Sequence, residues 1–154
     1  MRFMPGFALL CSISLTWALS PSCALAIDEK PSDQQAIAAL IQRAALAQPR
    51  EQCFLYAELV HQMTELAARQ LAAGDVDMAD VTLNTVQQYA DKIHMGIAED
   101  TKRLKNAEIL MRHTSFRLKE ILYGASPDDR PKLQATLKRL DQVESELMLQ
   151  VFRH

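Results

Sequence analysis

One stripe of small and apolar residues constrains the fold more than any other feature. Thirteen positions between residues 79 and 121 follow one another at alternating steps of four and three, and twelve of them suit a buried seam. They are Ala79, Leu83, Val86, Ala90, Ile93, Ile97, Asp100, Leu104, Ala107, Met111, Thr114, Leu118 and Ile121. This period of 3.5 residues keeps one helix face against a partner. No proline interrupts it, so the simplest prediction is a single helix over about 77–123, roughly 65–70 Å long.

Three shorter helices are predicted around the long one. The first covers about 33–48 and the second about 50–73, with Pro49 between them in a position that suits a first helical turn. Gly74 follows where a left-handed C-terminal cap is expected. The last helix covers about 127–152 and begins with a Ser-Pro-Asp-Asp run, which supplies a cap and negative charge at the positive end of the helix dipole.

These lengths predict an elongated, antiparallel, all-α bundle without strands. Because both loops are short, the second helix is expected to cover the front half of the long helix and the last helix its back half. The first helix adds a third layer to the front half. Asp100 lies where the two halves meet and breaks the seam. Either solvent reaches it there, or Arg50 or Lys30 pairs with it, since a buried unpaired carboxylate is costly.

The first 26 residues have the pattern of a secretory signal peptide. Arg2 gives a positive start, residues 7–19 form an apolar run, and Ala24-Leu25-Ala26 supplies a small-x-small cleavage motif. The apolar run is shorter than the roughly 20 residues that span a bilayer. We expect cleavage after Ala26, or alternatively after Ala24. Residues 27–154 would then form a single exported helical domain, periplasmic or extracellular.

Charge is distributed unevenly along the expected mature chain. It has 16 basic and 19 acidic residues, a net charge of −3. Residues 27–100 carry twelve acids and five bases, a net of −7, whereas residues 101–154 carry seven acids and eleven bases, a net of +4. In an elongated molecule this predicts an acidic end and a basic end. An exported protein rarely meets nucleic acid, so nucleic-acid binding is not expected.

Cys53 is the one cysteine that follows the expected cleavage site. It is therefore either buried or joined to another chain by an intermolecular disulfide. Its neighbours Phe54, Leu55 and Tyr56 favour burial.

Two carboxylate-x-x-His motifs form the candidate metal site. Glu58 and His61 lie on the second helix, and Asp91 and His94 lie on the long one. Such pairs on facing helices build the dinuclear sites of ferritin-like bundles. The alternative is an ordinary surface with ion pairs, because Ala90 and Ile93 already occupy the inward positions beside Asp91 and His94.

A cluster of bases forms a candidate surface for anionic lipids. It comprises Lys102, Arg103, Lys105, Arg112, Arg117 and Lys119. Three of these recur every seven residues and form one stripe. Glu108 lies four residues before Arg112, as in the ion pairs of an ordinary solvated helix, and this interpretation is the favoured one.

The sequence does not specify a reaction. It lacks phosphate-binding loops, haem-attachment motifs and metalloprotease motifs, so no catalytic residue and no cofactor is predicted. The preferred hypothesis is a non-catalytic exported protein that binds a protein partner or itself. Apolar residues off the seams would extend its contact surface: Phe116, Tyr123, Leu149 and Phe152. The alternatives are a metal-binding bundle and a peripheral binder of anionic membranes.

Overall fold

The computed structural model describes residues 33–97 and 102–153, and these form an all-α bundle, as predicted. Its helices are α1 (Asp33–Leu46), α2 (Pro49–Ala73), α3 (Val76–Met95), α4 (Leu104–Gly124) and α5 (Arg130–Val151). The described ranges contain no strand. The expected signal peptide, Lys30 and Asp100 lie outside the described residues.

The prediction of one continuous helix over 77–123 is wrong, because α3 ends at Met95 and α4 begins at Leu104. The N–H of Gly96 donates to the carbonyls of Lys92 and Ile93, which closes the end of α3. Arg103 has a φ of 58°, a left-handed conformation that cannot belong to the interior of a right-handed helix. The seam is therefore divided between two helices instead of lying on one.

The two hairpins lie side by side rather than end to end. The α2–α3 and α4–α5 hairpins are antiparallel pairs, as the short loops predicted. In addition, α2 packs along α4 and α3 packs along α5, whereas the described residues of α3 and α4 do not pack as neighbouring helices, so these two helices occupy one diagonal of the bundle. Glu51 pairs with Lys102 and Glu65 with Arg117, so α2 and α4 run parallel. In this arrangement each half of the seam packs against two neighbouring helices. In the predicted arrangement with one straight helix, the two hairpins would lie end to end and would not pack against each other in this way.

The hairpin turn at Gly74 forms as its sequence predicted. Gly74 has a φ of 82° and caps α2 in the left-handed conformation. Its N–H donates to Leu71 and the next N–H, of Asp75, donates to Gln70. Glycine has no Cβ, so it adopts this conformation without the steric cost that other residues meet.

The core is built from the predicted seam. Nine of the thirteen seam positions are buried, and the three at 97, 104 and 121 are partly buried. The α5 seam joins them through Leu133, Leu140, Val143 and Leu147, each fully buried. Helix α1 packs on α2 through Ile37, Leu40 and Ala44. The bundle thus has one continuous core with an additional helix on its α2 side.

Candidate functional site

The four candidate metal ligands are not brought together. The Glu58 and His61 side chains face different helices, and Asp91 and His94 both face α5. Their partners are Arg43 for Glu58, Thr114 for His61, Arg139 for Asp91 and Glu146 for His94. Within residues 33–97 and 102–153, no three His, Cys, Asp or Glu side chains are grouped as a metal site requires. Each motif instead forms polar contacts between helices.

Charge complementarity joins the two hairpins. The acidic α2–α3 hairpin meets the basic α4–α5 hairpin along two lines of contact. The opposite charges pair as Glu51 with Lys102 at 3.0 Å, Glu65 with Arg117 at 3.0 Å and Asp91 with Arg139 at 2.6 Å. The prediction of an acidic end and a basic end is therefore wrong. The two halves lie beside each other, and their opposite charges pair across the interface.

Most of the candidate lipid-binding bases have partners inside the bundle. Four of the six form ion pairs. Lys102 pairs with Glu51, Arg112 with Glu108 and Glu144, Arg117 with Glu65 and Glu120, and Lys119 with Asp141. The Arg103 guanidinium lies 3.5 Å from the centroid of the Phe54 ring. Lys105 is exposed. The cluster is thus divided among the α2–α4 and α4–α5 contacts and does not form one free cationic surface.

Two carboxylates, the buried Glu108 and the mostly buried Glu144, lie beside Arg112. The Glu108 side chain is only 6 % exposed, and one of its oxygens accepts a hydrogen bond of 3.0 Å from Arg112 Nε. Glu144 is a weaker partner, with 3.9 Å between its oxygen and Arg112 Nε. Burial raises the pKa of Glu144, and the charges of Asp141 and Glu108 raise it further against the opposing effect of Arg112. Arg112 therefore supplies the positive charge that opposes the raised pKa of Glu144 and that pairs with the buried Glu108.

Cys53 is fully buried, as its apolar neighbours predicted. Burial raises the pKa of its thiol to about 12, since the thiolate loses its hydration there. An intermolecular disulfide would require the start of α2 to leave the core.

The outward face of α4 carries a line of exposed apolar side chains. Ile109, Phe116 and Tyr123 follow one another at steps of seven residues and are 39 %, 64 % and 87 % exposed. We call these three residues the α4 stripe. Their spacing keeps them within about 40° of one line along roughly 21 Å of helix. The sequence indicated Phe116 and Tyr123 as contact residues but missed Ile109, which their common spacing of seven would have identified.

The α4 stripe continues onto α5 at one end of the bundle. A cavity of about 260 Å³ lies beside Ile109, and Met148 and Phe152 form its apolar wall. Met148 is 40 % and Phe152 81 % exposed. Lys105 lies at the same cavity. Met148 and Phe152 therefore add exposed apolar side chains to the Ile109 end of the α4 stripe.

No protein-family model, no curated protein and no solved structure matches this chain. In the part of the chain that the structure describes, the helices are too short or too polar to cross a bilayer.

Proposed function

We propose that this chain is an exported, non-catalytic protein that binds another protein through the α4 stripe. The observation that carries the proposal is the alignment of Ile109, Phe116 and Tyr123 on the outward face of α4. Exposed polar and charged residues lie between them at 112, 113, 119 and 120, so the stripe is a row of separate apolar side chains, which suits the few anchor residues of a protein contact.

Side-chain chemistry supports the same proposal. Tyrosine, phenylalanine and methionine are enriched at protein interfaces, where a few such residues provide most of the binding energy. Phe116 and Tyr123 are aromatic and lie about two turns apart on the same face of α4. Met148 adds a flexible apolar side chain near Ile109. A partner helix with its own apolar residues seven apart would match this spacing.

Site-specific photo-crosslinking in the host cell tests the contact. A photoreactive phenylalanine analogue replaces Phe116, and the control carries the same analogue at Gln88, an exposed position on the diagonally opposite helix α3. We expect one discrete product from position 116 and none from position 88. Tyr123→Ser should weaken that product, because it shortens the stripe without touching the core.

The mass of the product distinguishes a second copy of this chain from a different protein. Equal crosslinking from positions 116 and 88, or none from position 116, would contradict the proposal. Export is tested separately by cell fractionation and N-terminal sequencing. We expect a mature chain that begins at Ile27, or at Leu25 if cleavage follows Ala24. An intact chain in the cytoplasm would contradict export.

A further inference from the structure

A groove of about 690 Å³ lies on the opposite side of the bundle from the α4 stripe. It is formed where α2 begins and α3 ends, and Gln48, Arg50, Tyr56, Lys92 and Met95 contribute to its walls. Small-molecule sites in proteins have about 300–1,000 Å³ and combine an apolar wall with a few polar groups. This groove has that size and that mixture.

Two cations face this groove without a carboxylate partner. Seven of the fifteen described lysines and arginines form ion pairs, including Arg43, Arg69 and Arg139. Neither Arg50 nor Lys92 forms an ion pair with any described residue. Both therefore keep their charge available to a ligand, and the positive end of the α2 dipole adds to it.

The Lys92 side chain lies over two aromatic rings. Its Nζ atom lies 4.7 Å from the centroid of Tyr89 and 5.7 Å from that of Tyr56. The rings themselves are 5.8 Å apart. Cation–π attraction of this kind holds an ammonium group in place without neutralising it. Arg50 is held at its backbone, where its carbonyl accepts a 2.8 Å hydrogen bond from the N–H of Lys102.

We propose that this groove binds a small organic dianion. Its anionic oxygens, whether of a phosphate monoester or of a dicarboxylate, would meet Arg50 and Lys92. Its carbon skeleton would lie against Tyr56 and Met95. Two cations favour two negative charges, and the tyrosine and methionine favour an organic ligand over a bare inorganic ion. This site is independent of the α4 stripe, so either proposal can fail without the other.

Nuclear magnetic resonance titration of residues 27–154 at low salt tests the proposal. The probes are phenyl phosphate, phthalate, inorganic phosphate and the neutral control benzyl alcohol. We expect saturable shifts at the start of α2 and the end of α3 with phenyl phosphate, phthalate or both. Whichever of the two binds identifies the anionic group. Inorganic phosphate should bind about tenfold more weakly than the organic dianion, because it lacks contacts with the ring and the thioether.

Matched variants locate the site. Arg50→Gln and Lys92→Gln each remove one charge from an exposed position, and each should weaken binding about tenfold or more. Lys138→Gln removes one charge from exposed α5 and should leave binding unchanged. Circular dichroism checks that all three variants fold. The proposal is overturned if shifts do not saturate by about 10 mM dianion, if benzyl alcohol binds equally well, or if Lys138→Gln weakens binding as much as the groove variants.

Discussion

The substitution Arg112→Met tests whether Arg112 is a free base on the surface or a base that stabilises the fold. Arg112 is 61 % exposed, but the Glu108 side chain that it contacts is only 6 % exposed. Methionine keeps much of the apolar length of arginine and removes the guanidinium. The carboxylate of Glu108 then remains buried without its charged partner, and Glu144 loses the cation that opposes its raised pKa.

The expected loss of stability follows from this difference in exposure between Arg112 and Glu108. A hydrogen bond to a charged group contributes about 1.5–3 kcal/mol, and the exposure of Arg112 argues for the lower part of that range. We therefore expect Arg112→Met to lower the free energy of unfolding by about 2 kcal/mol, or roughly 6–10 °C in Tm for a chain of this size. Urea denaturation followed by circular dichroism measures it, since Trp17, the single tryptophan, lies in the expected signal peptide.

Two comparisons make the result decisive. Lys119→Met removes a base that pairs at 3.5 Å with the half-exposed Asp141, so its cost should stay below about 1 kcal/mol. In a Glu108→Gln background, Arg112→Met should cost much less than in the original chain, because no buried charge is stranded. Equal costs for Arg112→Met and Lys119→Met, or no coupling to Glu108, would refute the structural role of Arg112.

Three further outcomes are expected. Glu144→Gln should stabilise the bundle at neutral pH, because burial raises the pKa of Glu144 and the ionised form is disfavoured in the folded state. That gain should shrink as the pH falls through the raised pKa and vanish well below the ordinary value of 4.5, which chemical denaturation across pH would show. Cys53 should resist a thiol reagent at pH 8 in the native protein and react at once in urea, since its pKa is raised to about 12; rapid native labelling would contradict its burial. Ser115→Ala should raise the free energy of unfolding by up to about 1 kcal/mol, because the buried Ser115 hydroxyl has no hydrogen-bond partner among the described residues; a loss of 1 kcal/mol or more would contradict this.

Local patterns predicted α1, α2, α5 and both hairpin turns because those features depend on neighbouring residues. The 3.5-residue seam, Pro49 and the cap at Gly74 each act within one or two turns of helix. Helix α2 accordingly begins and ends within one residue of the prediction, whereas α5 begins at Arg130 instead of residue 127. The residues from 127 to 129 form a turn in which Ser126 and Asp129 hydrogen-bond each other.

The turn between α3 and α4 was missed because its cause is not local. The seam continues through residue 97 and resumes at Leu104, so periodicity alone favours one helix. When the two hairpins lie side by side, they form contacts with each other, including Gln87 with Thr136 and His61 with Thr114. No spacing in the sequence encodes these contacts. The candidate metal site failed to assemble for the same reason: side-by-side hairpins turn Asp91 and His94 toward α5. Gly96 was the residue that signalled a break.

The side-by-side packing of the hairpins is tested most directly by one distance. Spin labels at Glu65→Cys and Arg117→Cys, with Cys53→Ala, report the separation of α2 and α4 by pulsed electron paramagnetic resonance. Glu65 Oε1 and Arg117 Nε are 3.0 Å apart in the bundle, and loss of this exposed pair should cost under about 1 kcal/mol. Adjacent helix axes lie about 8–10 Å apart, so we expect labels within about 20 Å of each other. In a continuous helix, Arg117 would lie about 50 Å along the axis from the position that Glu65 faces, and a distance near that value would contradict the bundle.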